Sequence, residues 1–152
     1  MANEIVQLIV AAMALVFGGA FEEMLPKFLW VGFPVLLAAV QFFATHAGLK
    51  TALLFAVAAG AMEDAVSSLP VMTSASYFLF AAAFTRWAGL PRSAAAVTYP
   101  CYQLWLALWL ADMGGSVFTR VLAAFPVGLA TAFATDAAMS WVWRKAAVNE
   151  RG

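Results

Sequence analysis

Glu63 and Asp64 stand side by side in an otherwise apolar run between Gly60 and Ser74. Carboxylates are the usual tools of acid–base catalysis, and a catalytic dyad needs both at one substrate. Neighbours on a helix, however, point about 100° apart, so these two cannot serve one seam. Glu63 is left to face a neighbouring helix, a partner protein or an interface. Other chemistry is thinly supplied. His46 is the single histidine and Cys101 the single cysteine. Neither a common zinc site nor a disulfide or multi-cysteine cluster can be built from them. There is no Gly-x-Ser-x-Gly elbow, no His-Glu-x-x-His and no phosphate-binding glycine loop. The sequence therefore assigns no catalytic, cofactor or metal residue.

What demands explanation is the placement of the acids. A carboxylate within an apolar span costs several kcal/mol unless it is paired, protonated or facing protein. Asp64 belongs to a series of small residues every four positions: Ala52, Ala56, Gly60, Asp64, Ser68. A second series, Ala124, Gly128, Ala132, Asp136, Ser140, repeats the pattern. That spacing keeps residues on one helix face, and small residues let helices approach closely in lipid. Each series reads as a tight packing seam holding one aspartate. Depth along the spans pairs Asp64 with Arg120 and Asp136 with Arg86. The alternative is that each aspartate is protonated or hydrogen-bonded to the next helix.

The elements that must hold these residues follow from composition. The 152 residues are 65% hydrophobic and 11% charged, with zero formal net charge and a mean hydropathy of +0.90. Soluble domains carry about 25% charged residues, so the surroundings are expected to be the lipid bilayer, and zero net charge argues against nucleic acid. Apolar runs long enough to span number six: about 4–21, 28–46, 51–69, 71–87, 93–111 and 118–143. Connections are short, leaving one membrane domain over 1–152. No Lys or Arg precedes the first run, so it reads as a retained span and not a cleaved signal peptide.

Orientation follows the basic residues. Lys50, Arg86, Arg92, Arg144, Lys145 and Arg151 fall on one side, with only Lys27 and Arg120 opposite. Both termini are thus expected in the cytoplasm, with Glu22, Glu23 and Asp112 on the far face. Trp30, Trp87, Trp109, Trp141 and Trp143 lie near span ends as interfacial anchors. His46 closes the second helix against its dipole. Pro34, Pro100 and Pro126 fall inside helices and are expected to kink them, and Cys101 reads as a buried small hydrophobe. Phe33-Pro34 echoes Tyr99-Pro100 as the Asp64 seam echoes the Asp136 seam, hinting at a three-plus-three inverted repeat.

Together these residues resemble a family. Pro34-Val35-Leu36-Leu37, the turn Gly48-Leu49-Lys50, the segment Gly60-Ala61-Met62-Glu63-Asp64 and the turn Ser67-Ser68-Leu69-Pro70 are similar, in their order, to the loose motif of the rod shape-determining membrane protein family MreD. The likeness covers about a third of the chain, Phe33 to Tyr77. It departs from the family at Val35, where an acid is usual, at Ala61, where Leu is usual, and at Pro70-Val71, where Gly is usual. The resemblance implies an all-α membrane protein with five or six transmembrane helices, six by the count of runs here, folded like the substrate-binding S-components of energy-coupling-factor transporters. It further implies residence in the bacterial inner membrane as part of the cell-elongation machinery for peptidoglycan synthesis. The implied partner is an MreC-like single-span protein, with wall-synthesis enzymes reached indirectly. By the same resemblance Pro34, Gly60, Glu63, Asp64 and Ser68 are structural or partner-facing, with Arg86, Arg120 and Asp136 added by the depth argument.

A transport component that binds a vitamin or other small molecule is the competing expectation. A polar pocket opening outward and lined by Glu63 or Asp64 would favour it. A filled centre with an apolar flank would favour the scaffold.

Overall fold

The computed structural model describes residues 4–27, 31–90, 95–111 and 114–149. Trp30, Arg92, Asp112 and Arg151 lie outside them. The described residues form six helices and no strand: α1 (Glu4–Met24), α2 (Val35–His46), α3 (Leu49–Val66), α4 (Thr73–Ala88), α5 (Ala95–Trp109) and α6 (Ser116–Asn149). An all-α fold of six helices was expected, and the described residues have it.

The helices stop where the backbone has reason to stop. Gly89 takes the left-handed conformation, φ 59°, and its amide returns to the Thr85 carbonyl to close α4. The α3–α4 turn needs the same conformation at Ser68 (φ 53°) and Met72 (φ 71°), an uncommon state for residues with a Cβ. Pro100 and Pro126 lie within α5 and α6, as the sequence suggests. Pro34 does not: it is the residue before the first turn of α2. A proline has no amide to contribute and suits a helix start, so it begins this helix and does not kink it.

That correction shortens α2 to 12 residues, about 18 Å. Val31 to Pro34 lead into it without helical structure. Every residue from Leu36 to Ala44 is buried, and α2 packs against α1, α3, α4, α5 and α6 alike. The core is built around it: Leu36, Leu37, Val40 and Phe43 are sealed from solvent, with Phe43 against the Phe55 ring, centroids 4.3 Å apart. The strongest neighbours otherwise are α5 with α6 and α3 with α4.

Among the described residues, two helices are long and apolar enough to cross a membrane: Glu4–Met24 and, within α6, Ser116–Ala146. The other expected spans fall short for identifiable reasons. α3 has 18 residues but carries Lys50, Glu63 and Asp64. α4 has 16 and α5 has 15.

Two smaller expectations change. Cys101 is exposed, because the turn of α5 that buries Tyr99, Tyr102 and Gln103 directs position 101 outward. Trp143 is not a simple rim anchor. It is half-buried and packs edge-on against Phe42 and Phe43 at 5.8 and 6.0 Å. Trp87, 83% exposed, and Trp141, under the Lys145 ammonium at 5.7 Å, remain at the surface.

Candidate functional site

At one end of the bundle the C-terminal turns of α1 and α3 meet the start of α2, the α3–α4 turn, the end of α5 and the start of α6. Between them lies a cleft of about 490 Å³, lined by Glu22, Glu63, Pro34, Ser68, Tyr99, Tyr102, Gln103, Lys27 and Arg120 among others. Small-molecule sites typically span 300–1,000 Å³. Four expected residues thus meet here: Pro34, Glu63, Ser68 and Arg120.

The wall of the cleft on the α3 side is a rigid corner. Gly60 touches α4 backbone to backbone: a methyl group there would lie 2.3 Å from the Ala75 Cα and 2.6 Å from its nitrogen. Four residues on, Asp64 is 5% exposed and its Oδ1 accepts from the Ser74 amide at 2.7 Å. An amide in the first turn of a helix has no partner within that helix, and Met72, the residue before α4, offers no side-chain cap. Asp64 supplies it from α3. The Leu69 amide also returns to the Asp64 carbonyl at 2.8 Å, and the Thr73 hydroxyl to the Pro70 carbonyl at 2.7 Å. The expected ion pair of Asp64 with Arg120 is not what forms. Oδ1 goes to Ser74 and Oδ2 takes no hydrogen bond. The other open expectation, a hydrogen bond to the next helix, describes Asp64.

α5 ties this corner down. The Ser74 hydroxyl meets the Tyr102 hydroxyl, Trp105 Nε1 donates to the Thr73 carbonyl at 2.9 Å, and the Tyr77 hydroxyl donates to the Thr98 carbonyl. Tyr99 donates to the Gly32 carbonyl, fixing the extended lead-in of α2. On the α1 side, Glu22 does for α2 what Asp64 does for α4: its Oε1 accepts from the Leu36 amide at 2.7 Å. Its other oxygen, Oε2, is sealed from solvent and takes no conventional donor. The Glu63 carboxyl neighbours that of Glu22 and lines the same cleft. Glu63 is half-buried and itself accepts from the Ser67 hydroxyl at 3.0 Å. The turn of the helix separates Glu63 from Asp64 as expected, one toward α1 and one toward α4.

Glu22 was read in the sequence only as an acid ending a span. Its sole signal was position, an acid just outside an apolar run and twelve residues before a Pro-led helix. Tyr99, Tyr102 and Gln103 gave no signal, being scattered in an aromatic-rich segment.

Arg86 and Asp136 lie at the opposite end. Arg86 Nη1 donates to the Ala47 carbonyl at 2.9 Å and to Ala44 at 3.3 Å, so its guanidinium caps the C-terminus of α2. Asp136 is half-buried and lines a smaller cavity of about 150 Å³ with Gln41, Thr45, His46 and Thr85. His46 does close α2 as expected, with Nδ1 3.0 Å from the Phe42 carbonyl and its ring stacked on Phe42. The inverted repeat finds no echo at side-chain level. Pro34 starts a helix where Pro100 sits within one, and Asp64 caps a helix where Asp136 lines a cavity. No group of three or more potential metal ligands occurs among the described residues. Compared with known protein families, curated proteins and solved structures, the chain matches none.

Proposed function

We propose that the chain is a multi-pass scaffold subunit of the bacterial cell-elongation machinery, of MreD type. In this reading it sits in the inner membrane with both termini cytoplasmic and binds an MreC-like single-span partner, through which it bears on wall-synthesis enzymes. The supporting observation is the α3–α4 corner. Gly60, Asp64 and Pro70, which carry the resemblance, are committed to close packing, helix capping and turn bonding. Residues that build a corner are what a structural motif consists of, and none of the three is placed as a reacting group. Six spans are part of the proposal. Large apolar side chains are exposed on every helix except α2, among them Phe17, Leu54, Phe80, Leu108 and Phe133, a surface suited to lipid or to a partner's helix.

Affinity purification of the tagged chain from its own cells in mild detergent tests this. The proposal expects a single-span wall-synthesis protein to come with it. Recovery of a transporter energising module in its place would reverse the conclusion.

One observation favours the second reading, a small-molecule-binding transport component of S-component type. The cleft is polar, of ligand size and lined by Glu63, which is the feature that reading requires. Uptake of a solute dependent on the chain would establish it.

A further inference from the structure

The two ends of the bundle differ in formal charge. Among the described residues, the end where α2 finishes holds Lys50, Arg86, Arg144 and Lys145 against Glu4 and Asp136. The cleft end holds Glu22, Glu23, Glu63 and Asp64 against Lys27 and Arg120. Packing gathers the four cations. Arg86 closes α2 through the Ala44 and Ala47 carbonyls, and Lys50 follows in the first turn of α3. α6 lays Trp143 on Phe42 and Phe43, which brings Arg144 and Lys145 to the same end. All four side chains are exposed. Three of them also adjoin exposed apolar surface. Leu49 beside Lys50 is 52% exposed, Trp87 beside Arg86 is fully presented, and the Lys145 ammonium lies over the Trp141 ring.

We infer that this end binds the headgroups of anionic phospholipid. The exposed apolar side of α6 runs from Phe118 to Trp141, about 35 Å, which suits a tilted helix in a hydrocarbon layer about 30 Å deep. Arg144 and Lys145 follow directly, level with a headgroup layer, where indole rings such as Trp87 and Trp141 also settle. A soluble anion would use the charges and leave the adjoining apolar surface in water. A phosphate carried on acyl chains uses both. Arg86 and Arg144 each commit a donor to backbone carbonyls, so Lys50 and Lys145 are the groups assigned to the lipid phosphate. The inference rests on the membrane reading, which the scaffold and transport functions share.

The full chain is reconstituted in vesicles of equal parts phosphatidylcholine and phosphatidylglycerol, then extracted in mild detergent. Mass spectrometry counts the lipid that stays bound. Phosphatidylglycerol should be retained over phosphatidylcholine. Each basic residue near an anionic surface contributes roughly a fivefold gain, so joint Lys50→Gln and Lys145→Gln should reduce the preference about twentyfold. Lys27→Gln, at an exposed position of the other end, should leave it unchanged. Excess soluble glycerol phosphate should not displace the lipid. Equal retention of both lipids, a preference that survives loss of the two lysines, an equal loss in Lys27→Gln, or displacement by glycerol phosphate would each overturn the assignment. A chain that enters no vesicle would sink the membrane reading and this inference together, whereas entry without lipid preference would sink the inference alone.

Discussion

Asp64 on α3 hydrogen-bonds the amide of Ser74 on α4, ten residues away and one helix over, at 2.7 Å. The first turn of α4 is capped from outside. Replacing Asp64 by Ala leaves a buried amide unpaired, and such a loss costs about 1–3 kcal/mol. Asp64→Asn retains an acceptor oxygen and should cost less than half as much. Unfolding in mild detergent, followed by circular dichroism, measures both. Equal losses would show that charge, and not capping, is what the position supplies.

Gly60 and Gly19 make a matched test of the helix seams. A Cβ at Gly60 meets the α4 backbone at 2.3 Å, whereas at Gly19 it meets the terminal methyl of Met62 at 2.6 Å. Backbone cannot yield but a methionine can. Gly60→Ala should therefore lose about 3 kcal/mol, the upper range for overpacking. Gly19→Ala should stay within about 1 kcal/mol of the parent, helped by the better helix propensity of alanine. A Gly60→Ala protein as stable as Gly19→Ala would remove the close-approach argument.

Glu22 holds the entry of α2 through the Leu36 amide. Glu22→Ala should destabilise by about 1–3 kcal/mol for the orphaned donor. Glu22→Gln preserves the cap and removes one of two facing carboxyls, so its stability should equal or exceed the parent's. Hydrogen exchange at Leu36 offers a local readout: faster in the alanine variant, unchanged in the glutamine variant.

Cys101 faces outward from α5. In detergent an uncharged maleimide should label it without unfolding the chain. In lipid vesicles a charged, impermeant thiol reagent should fail, because the six-span proposal sets the site against hydrocarbon. Rapid labelling by the charged reagent in vesicles would place α5 outside the membrane and count against the six-span reading.

The helices were legible in the sequence because apolar runs, Pro and Gly mark them. The ends of α3 and α4 lie within a few residues of expectation. α2 was not legible in full. An apolar stretch running into Pro34 looks the same whether the chain is helical or extended before the proline, and only the bonds from Gly32 and Leu36 to Tyr99 and Glu22 decide it. Spacing by four identified Gly60 and Asp64 as one face, but their partner, the backbone of α4, carries no side-chain signature. Depth matching suggested Arg120 for Asp64 because it ranks charges and ignores backbone amides, which are donors at every residue but proline. The Glu22–Glu63 meeting joins residues forty-one positions apart, and nothing local in either neighbourhood announces it.

The brevity of α2 bears on how the chain reaches its place. A hydrocarbon layer about 30 Å deep is not crossed by a helix of 12 residues, and an extended lead-in exposed to acyl chains would leave its peptide groups unsatisfied. If the chain spans the membrane as proposed, the entry of α2 depends on the bonds it receives from Glu22 of α1 and Tyr99 of α5. On that reading an early helix is completed by a late one, and a fragment ending before α5 is expected to be cleaved by proteases faster than the full chain.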